Sequence, residues 1–168
     1  MPSTYEKIAT TTLGSAAASY TFSSIIGTYT DLVVVASCTS ANDGTALQFR
    51  FNSDSGSNYS NTFLEGSGSS ATSSRESNQT AIQISYNVGN NSTNPSASII
   101  SINNYSNSTT NKTLLARWNS ATGGTYPGTS AAVGLWRNTA AITAIEIFMG
   151  SGNINAGSTF TLYGIKSA

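Results

Sequence analysis

ALQFRF, residues 46–51, alternates: Leu47, Phe49 and Phe51 fall on one face of an extended chain, Gln48 and Arg50 on the other. A period of two belongs to a strand with one face in a core and one in water. The stretch that follows, FNSDSGSNYSNTFLEGSGSSATSSRESNQT (Phe51 to Thr80), breaks the pattern. It is mostly Ser, Asn, Gly and Thr.

Outward from this point the period of two returns repeatedly. AIQISYNV sets Ile82, Ile84, Tyr86 and Val88 inward. KTLLARW offers Leu114, Ala116 and Trp118 against Leu115 and Arg117. TAIEIFM sets Ile145, Ile147 and Met149 against Glu146 and Phe148, and STFTLYGIK sets Phe160 and Leu162 against Tyr163 and Ile165. DLVVVASC does not alternate, which predicts a central strand covered on both faces. Weaker strand patterns lie at Tyr5–Leu13, Ser19–Phe22, Ser98–Asn103 and Ala131–Arg137. No apolar stripe of helical period has useful length. Turn clusters such as SANDG, NVGNNSTNP, ATGGTYPGT and GSGNINAG separate the segments. About ten short strands with such turns predict an antiparallel β-sandwich of jelly-roll type, in a single domain over residues 1–168. The polar segment 52–80 then reads as a surface crossover between the sheets, with Tyr59, Phe63 and Leu64 as apolar points. They either tuck onto the domain or anchor a neighbouring subunit.

Composition narrows the function. Ser, Thr and Asn supply 69 of the 168 residues, while charged residues are 8% and cancel to zero. Ordinary chains carry about 25% charge. Seven scattered Lys and Arg make no phosphate-binding patch and no polybasic membrane anchor, so neither nucleic acid nor membrane is an expected partner. The chain has no His and one Cys, which rules out the usual serine triad, a Cys–His nucleophile and a structural zinc site. Cys38 ends an apolar run and reads as an inert core thiol. NSDSGSN (Asn52 to Asn58) is a poor match to a calcium loop, because its Gly is misplaced and no Glu follows at the right spacing. GSGSS (Gly66 to Ser70) lacks the Lys of a phosphate loop. The seven carboxylates fall mostly in turns or on solvent faces, which does not suit a glycosidase pair. MPSTYEKIATTT holds no apolar segment, and VASC (Val35 to Cys38) follows an apolar run too short for a signal, so a leader is not expected. Trp118 and Trp136 sit in apolar strand patterns and read as core. A binding protein without cofactor or metal is the expectation, not an enzyme.

Several segments together resemble a family of bacteriophage virion structural proteins, found in phages of marine and freshwater bacteria and in cyanophages. They are YEKIATTTLGSAAASYTFSSIIGTYTDLVVV, FRFNSDSGSNYSNTFLEGSGSSATSSRESNQT, GLWRNTAAITAIEIF and GSTFTLYGIKSA, spanning Tyr5 to Ala168. FNSDSGSNYS (Phe51 to Ser60) and FTLYGIK (Phe160 to Lys166) are the most specific parts. The resemblance implies a jelly roll on the virion exterior: a capsid decoration (cement) protein that binds the major capsid protein and braces the head. Such a protein is assembled in the host cytoplasm and works as a homo-oligomer, with a trimer the natural fit to local threefold positions. A tail or fibre module that binds host surface polysaccharide is the alternative the same resemblance carries. No stalk or attachment extension is visible in the sequence, which favours the decoration reading.

Overall fold

The computed structural model describes residues 4–85, 87–90, 93–120 and 128–166, and among these there is no helix. Twelve strands form two antiparallel sheets. They are β1 (Tyr5–Thr12), β2 (Ser19–Phe22), β3 (Asp31–Cys38), β4 (Leu47–Phe51), β5 (Tyr59–Gly66), β6 (Ala71–Gln79), β7 (Ile82–Gln83), β8 (Ser96–Asn103), β9 (Lys112–Ser120), β10 (Gly128–Trp136), β11 (Ile145–Met149) and β12 (Thr159–Ile165). The larger sheet runs β1-β12-β3-β8-β9-β10-β5-β6 and the smaller β2-β11-β4-β7. From β2 to β5 consecutive strands alternate between sheets, and β6 to β8 and β10 to β12 cross back and forth again. This is the wrapping of a jelly roll. The meander β8-β9-β10 fills the place of one strand, and β1 and β12 widen the sheet beyond β3.

Alternation explains what each strand buries. Across the larger sheet, the registers place Leu162, Val34, Ile100, Ala116, Ala132 and Phe63 in one inward row. The smaller sheet answers with Phe22–Ile145–Phe51 and Tyr20–Ile147–Phe49–Ile82. Leu47, Phe49, Phe51, Ile82, Ile145 and Ile147 are fully buried, as the period of two predicts. Two glycines allow close approach. The ring of Tyr29 lies where a Cβ on Gly164 would stand. A Cβ on Gly134 would meet Ile82 Cγ2 at 2.5 Å and Leu114 Cγ at 3.1 Å.

The structure departs from the sequence reading in three places. Segment 52–80 is not one crossover loop: only its first part is, and the rest is the hairpin β5–β6, turned at Gly68 with φ +85°. Hairpin turns of two residues need positive φ, which glycine supplies without strain. The polar composition misled because β6 lies at the edge of the larger sheet, and Ala71 to Arg75 are all exposed. With no layer beneath it, β6 has no inward face to mark with apolar residues. Secondly, β3 is central in its sheet but its outer face is covered only in part: Val33 is buried while Val35 stands 38% exposed, and Leu32, Val34 and Ala36 on the inner face are buried. Thirdly, AIQISYNV is a strand only over Ile82–Gln83, although Ile84 and Val88 are buried as expected. Tyr86 lies outside the described residues.

Candidate interaction surface

Several titratable groups are committed to the fold. Asp54 anchors the loop before β5: its carboxylate accepts from Trp136 Nε1 at 2.7 Å, Asn58 Nδ2 at 2.9 Å and the Gly56 N–H at 2.9 Å. Burial pushes the Asp54 carboxyl up, but those hydrogen bonds and the Arg50 charge outweigh it and hold it below the usual aspartate range. Arg50 pairs with Glu146 at 2.8 Å, and Lys166 pairs with Glu6. Asp31 accepts the Asn104 N–H at 2.6 Å, and Glu76 accepts from Asn61 Nδ2 at 3.3 Å. Burial raises the Glu65 carboxyl and pushes the Cys38 thiol to about 12. Cys38 is therefore the inert core thiol the sequence suggested. Among the described residues no three His, Cys, Asp or Glu side chains gather as metal ligands do.

Lys112 carries no sequence signal and is the least expected group. It opens β9 on the inward face and is buried, with Nζ donating to Thr110 O at 2.7 Å and Thr139 O at 2.9 Å. Burial pulls its ammonium below the ordinary lysine value. The charge caps two loop carbonyls.

Of the three anchors read from the sequence, the structure keeps one at the surface. Tyr59 is fully buried: its ring stacks on Trp136 at 6.3 Å, its hydroxyl donates to Asp54 O at 2.9 Å, and it accepts the Phe51 N–H at 3.1 Å. Phe63 is buried in the inward row, so neither residue can contact a partner. Inward residues of β5 alternate with outward ones, and the outward Leu64 is 61% exposed.

Leu64 belongs to a larger feature that register alone creates. On the outer face of the larger sheet one row reads Val35, Ile99, Arg117, Ala131, Leu64. The adjacent row carries Leu115 beside Val133. Val35, Ile99, Leu115, Val133 and Leu64 are between 38% and 61% exposed. Exposed apolar side chains scattered singly are ordinary; neighbours in adjoining rows form a patch, which marks a contact surface. Two shallow hollows flank Arg117. One, of about 500 Å³, is lined by Ile99, Ser101, Leu115 and Ala131; the other, of about 390 Å³, by Leu64, Gly66, Ala71 and Thr129. Arg117 lines both. The arrangement can hold an apolar surface and one acceptor group above Arg117, with the Glu65 carboxyl at the rim of the second hollow.

No family model matches the chain, and no curated protein matches it.

Proposed function

We propose that the chain is a bacteriophage capsid decoration protein, which binds the outer surface of the major capsid protein shell and stabilises the head. The resemblance from Tyr5 to Ala168 supplies the virion setting. The observation that carries the reading is the apolar outer face around Arg117. A protein that braces a shell needs contact area and shape, and an interface core favours apolar side chains with an occasional Arg. Low charge suits this role, since many copies then sit side by side without mutual repulsion. A trimer of this chain, placed over local threefold positions, gains from several weak contacts at once.

Co-sedimentation of the purified protein with undecorated heads tests the reading. Wild-type protein should pellet with heads. Leu115→Asp and Arg117→Glu should each reduce binding at least about tenfold, a change of about 1.4 kcal/mol, with folding intact. Equal binding by all three proteins, or none by wild type, contradicts it. The polysaccharide-binding alternative has less support: among the described tyrosines only Tyr5 is exposed, and its ring meets that of Tyr163 edge-on.

A further inference from the structure

We infer that the free edge of β6 pairs with β6 of a second copy, about a two-fold axis at Ser73, and joins two larger sheets into one. The argument rests on which backbone groups β6 leaves unused. In an antiparallel ladder, residues alternate between hydrogen-bonded pairs and pairs whose N–H and C=O groups point away from each other. The Ser67 N–H donates to Ser70 O at 3.0 Å, which makes Ser67 and Ser70 a hydrogen-bonded pair. Counting along the register, Thr72 faces Glu65 and Ser74 faces Phe63 in the same state. Ala71, Ser73 and Arg75 are the alternate residues, and they direct their N–H and C=O groups away from β5. The far end of β5 gives the same parity. The Arg137 N–H donates to Asn58 O at 2.8 Å, and counting from that pair turns Leu64 and Thr62 towards β10, so their partners Ser73 and Arg75 are not bonded by them.

Both ends of the larger sheet carry devices that discourage strand addition: β1 has a bulge between Lys7 and Ala9 and an exposed Lys7, and β6 has Arg75, Glu76 and an irregularity opposite Tyr59–Asn61, which lies beyond Arg75. From Ala71 to Arg75, β6 is regular, exposed and free of Pro. A strand has to be long and flat to be augmented, and this run is the flat one.

The occupant follows from self-complementarity. With the axis at Ser73, Ser73 faces its own copy and Ala71 faces Arg75 in both directions. All three outward residues then lie in hydrogen-bonded pairs, giving about six inter-copy bonds. Shifting the axis to Thr72 or Ser74 leaves one outward residue of each strand outside these central pairs. At Ser73 no charge opposes a like charge, because Arg75 meets Ala71. The outer apolar rows of the two copies also become parts of one continuous face, since Leu64 and Ser73 are cross-strand neighbours. This contact is two-fold and does not depend on the capsid reading. In a trimer it would link one trimer to the next.

The test uses the whole protein. Hydrogen exchange, followed residue by residue from about 10 µM to about 1 mM, should show the Ala71, Ser73 and Arg75 amides gaining protection with concentration. The Thr72 and Ser74 amides, already bonded to β5, should be protected throughout. Ser73→Pro removes a donor that the fold itself does not use, at an edge where Pro is tolerated. Sedimentation equilibrium should show its self-association constant reduced at least about tenfold, with an unchanged far-ultraviolet spectrum. Ala71→Arg, which sets Arg against Arg75, should weaken association without touching any backbone donor. Unprotected exchange at the three amides at every concentration overturns the inference. So does undiminished association in both variants.

Discussion

Trp136 and Asp54 show how single residues hold the loop that enters β5. The indole N–H bond ends on a carboxylate that also takes two further donors. Trp136→Phe keeps most of the buried ring but strands that acceptor, and should cost about 1–3 kcal/mol by chemical denaturation. The carboxyl is depressed in the folded state, so its contribution is present above the ordinary aspartate value of 3.8 and is lost as pH falls through the folded value. The wild-type advantage over Trp136→Phe should therefore shrink on acidification below pH 3.8 and be flat above it. A wild-type advantage that grows on acidification would contradict this assignment. Gly134 is a steric case. A methyl group there meets Ile82 and Leu114, and Gly134→Ala should destabilise by about 1–3 kcal/mol despite lowering the entropy of the unfolded chain. Three inward groups in one row find no partner among the described residues: Ser98 Oγ, Trp118 Nε1 and Ser130 Oγ. An unpaired buried hydroxyl is a cost, so Ser130→Ala should be neutral or stabilising in thermal melts.

Among the elements, β5 separates the fold from the surface most cleanly. Phe63 and Leu64 are adjacent in sequence and point to opposite sides. Phe63→Ala should cost about 3–5 kcal/mol, as a large core truncation does. Leu64→Ser should leave stability within about 0.5 kcal/mol and weaken only association. If both variants unfold alike, the assignment of faces is wrong. The same element shows where sequence reading stops. Strands β4, β9, β11 and β12 were legible because a core on one side and water on the other imprint a period of two, and Leu47, Phe49 and Phe51 display it. β6 has water on both sides and so imprints nothing. Ala71 to Arg75 read as loop although they form a regular ladder with β5. Val35 illustrates the converse: an apolar residue in an unbroken run was read as covered, when its face is covered only in part.

At the scale of the molecule, two stacked sheets turn a Ser-, Thr- and Asn-rich chain into a small core with a broad outer face. The candidate surface was only partly legible. Leu64 could be picked out as an isolated apolar residue in a polar stretch. Val35, Ile99, Leu115 and Val133 lie far apart in sequence, and only strand order and register make them neighbours. The proposed trimer belongs to this scale too. Light scattering on Ser73→Pro, which removes edge pairing, should give three times the 17.4 kDa chain mass at tens of micromolar. Monomer alone there would remove the trimer and leave the sandwich untouched. The most direct measurement is cryo-electron microscopy of the intact virion, resolved well enough to trace strands on the head. The account predicts this sandwich on the capsid exterior in many symmetric copies, with the face bearing Ile99, Leu115 and Arg117 against a neighbouring protein. A head without it, or copies in which that face points to open solvent, would contradict the account.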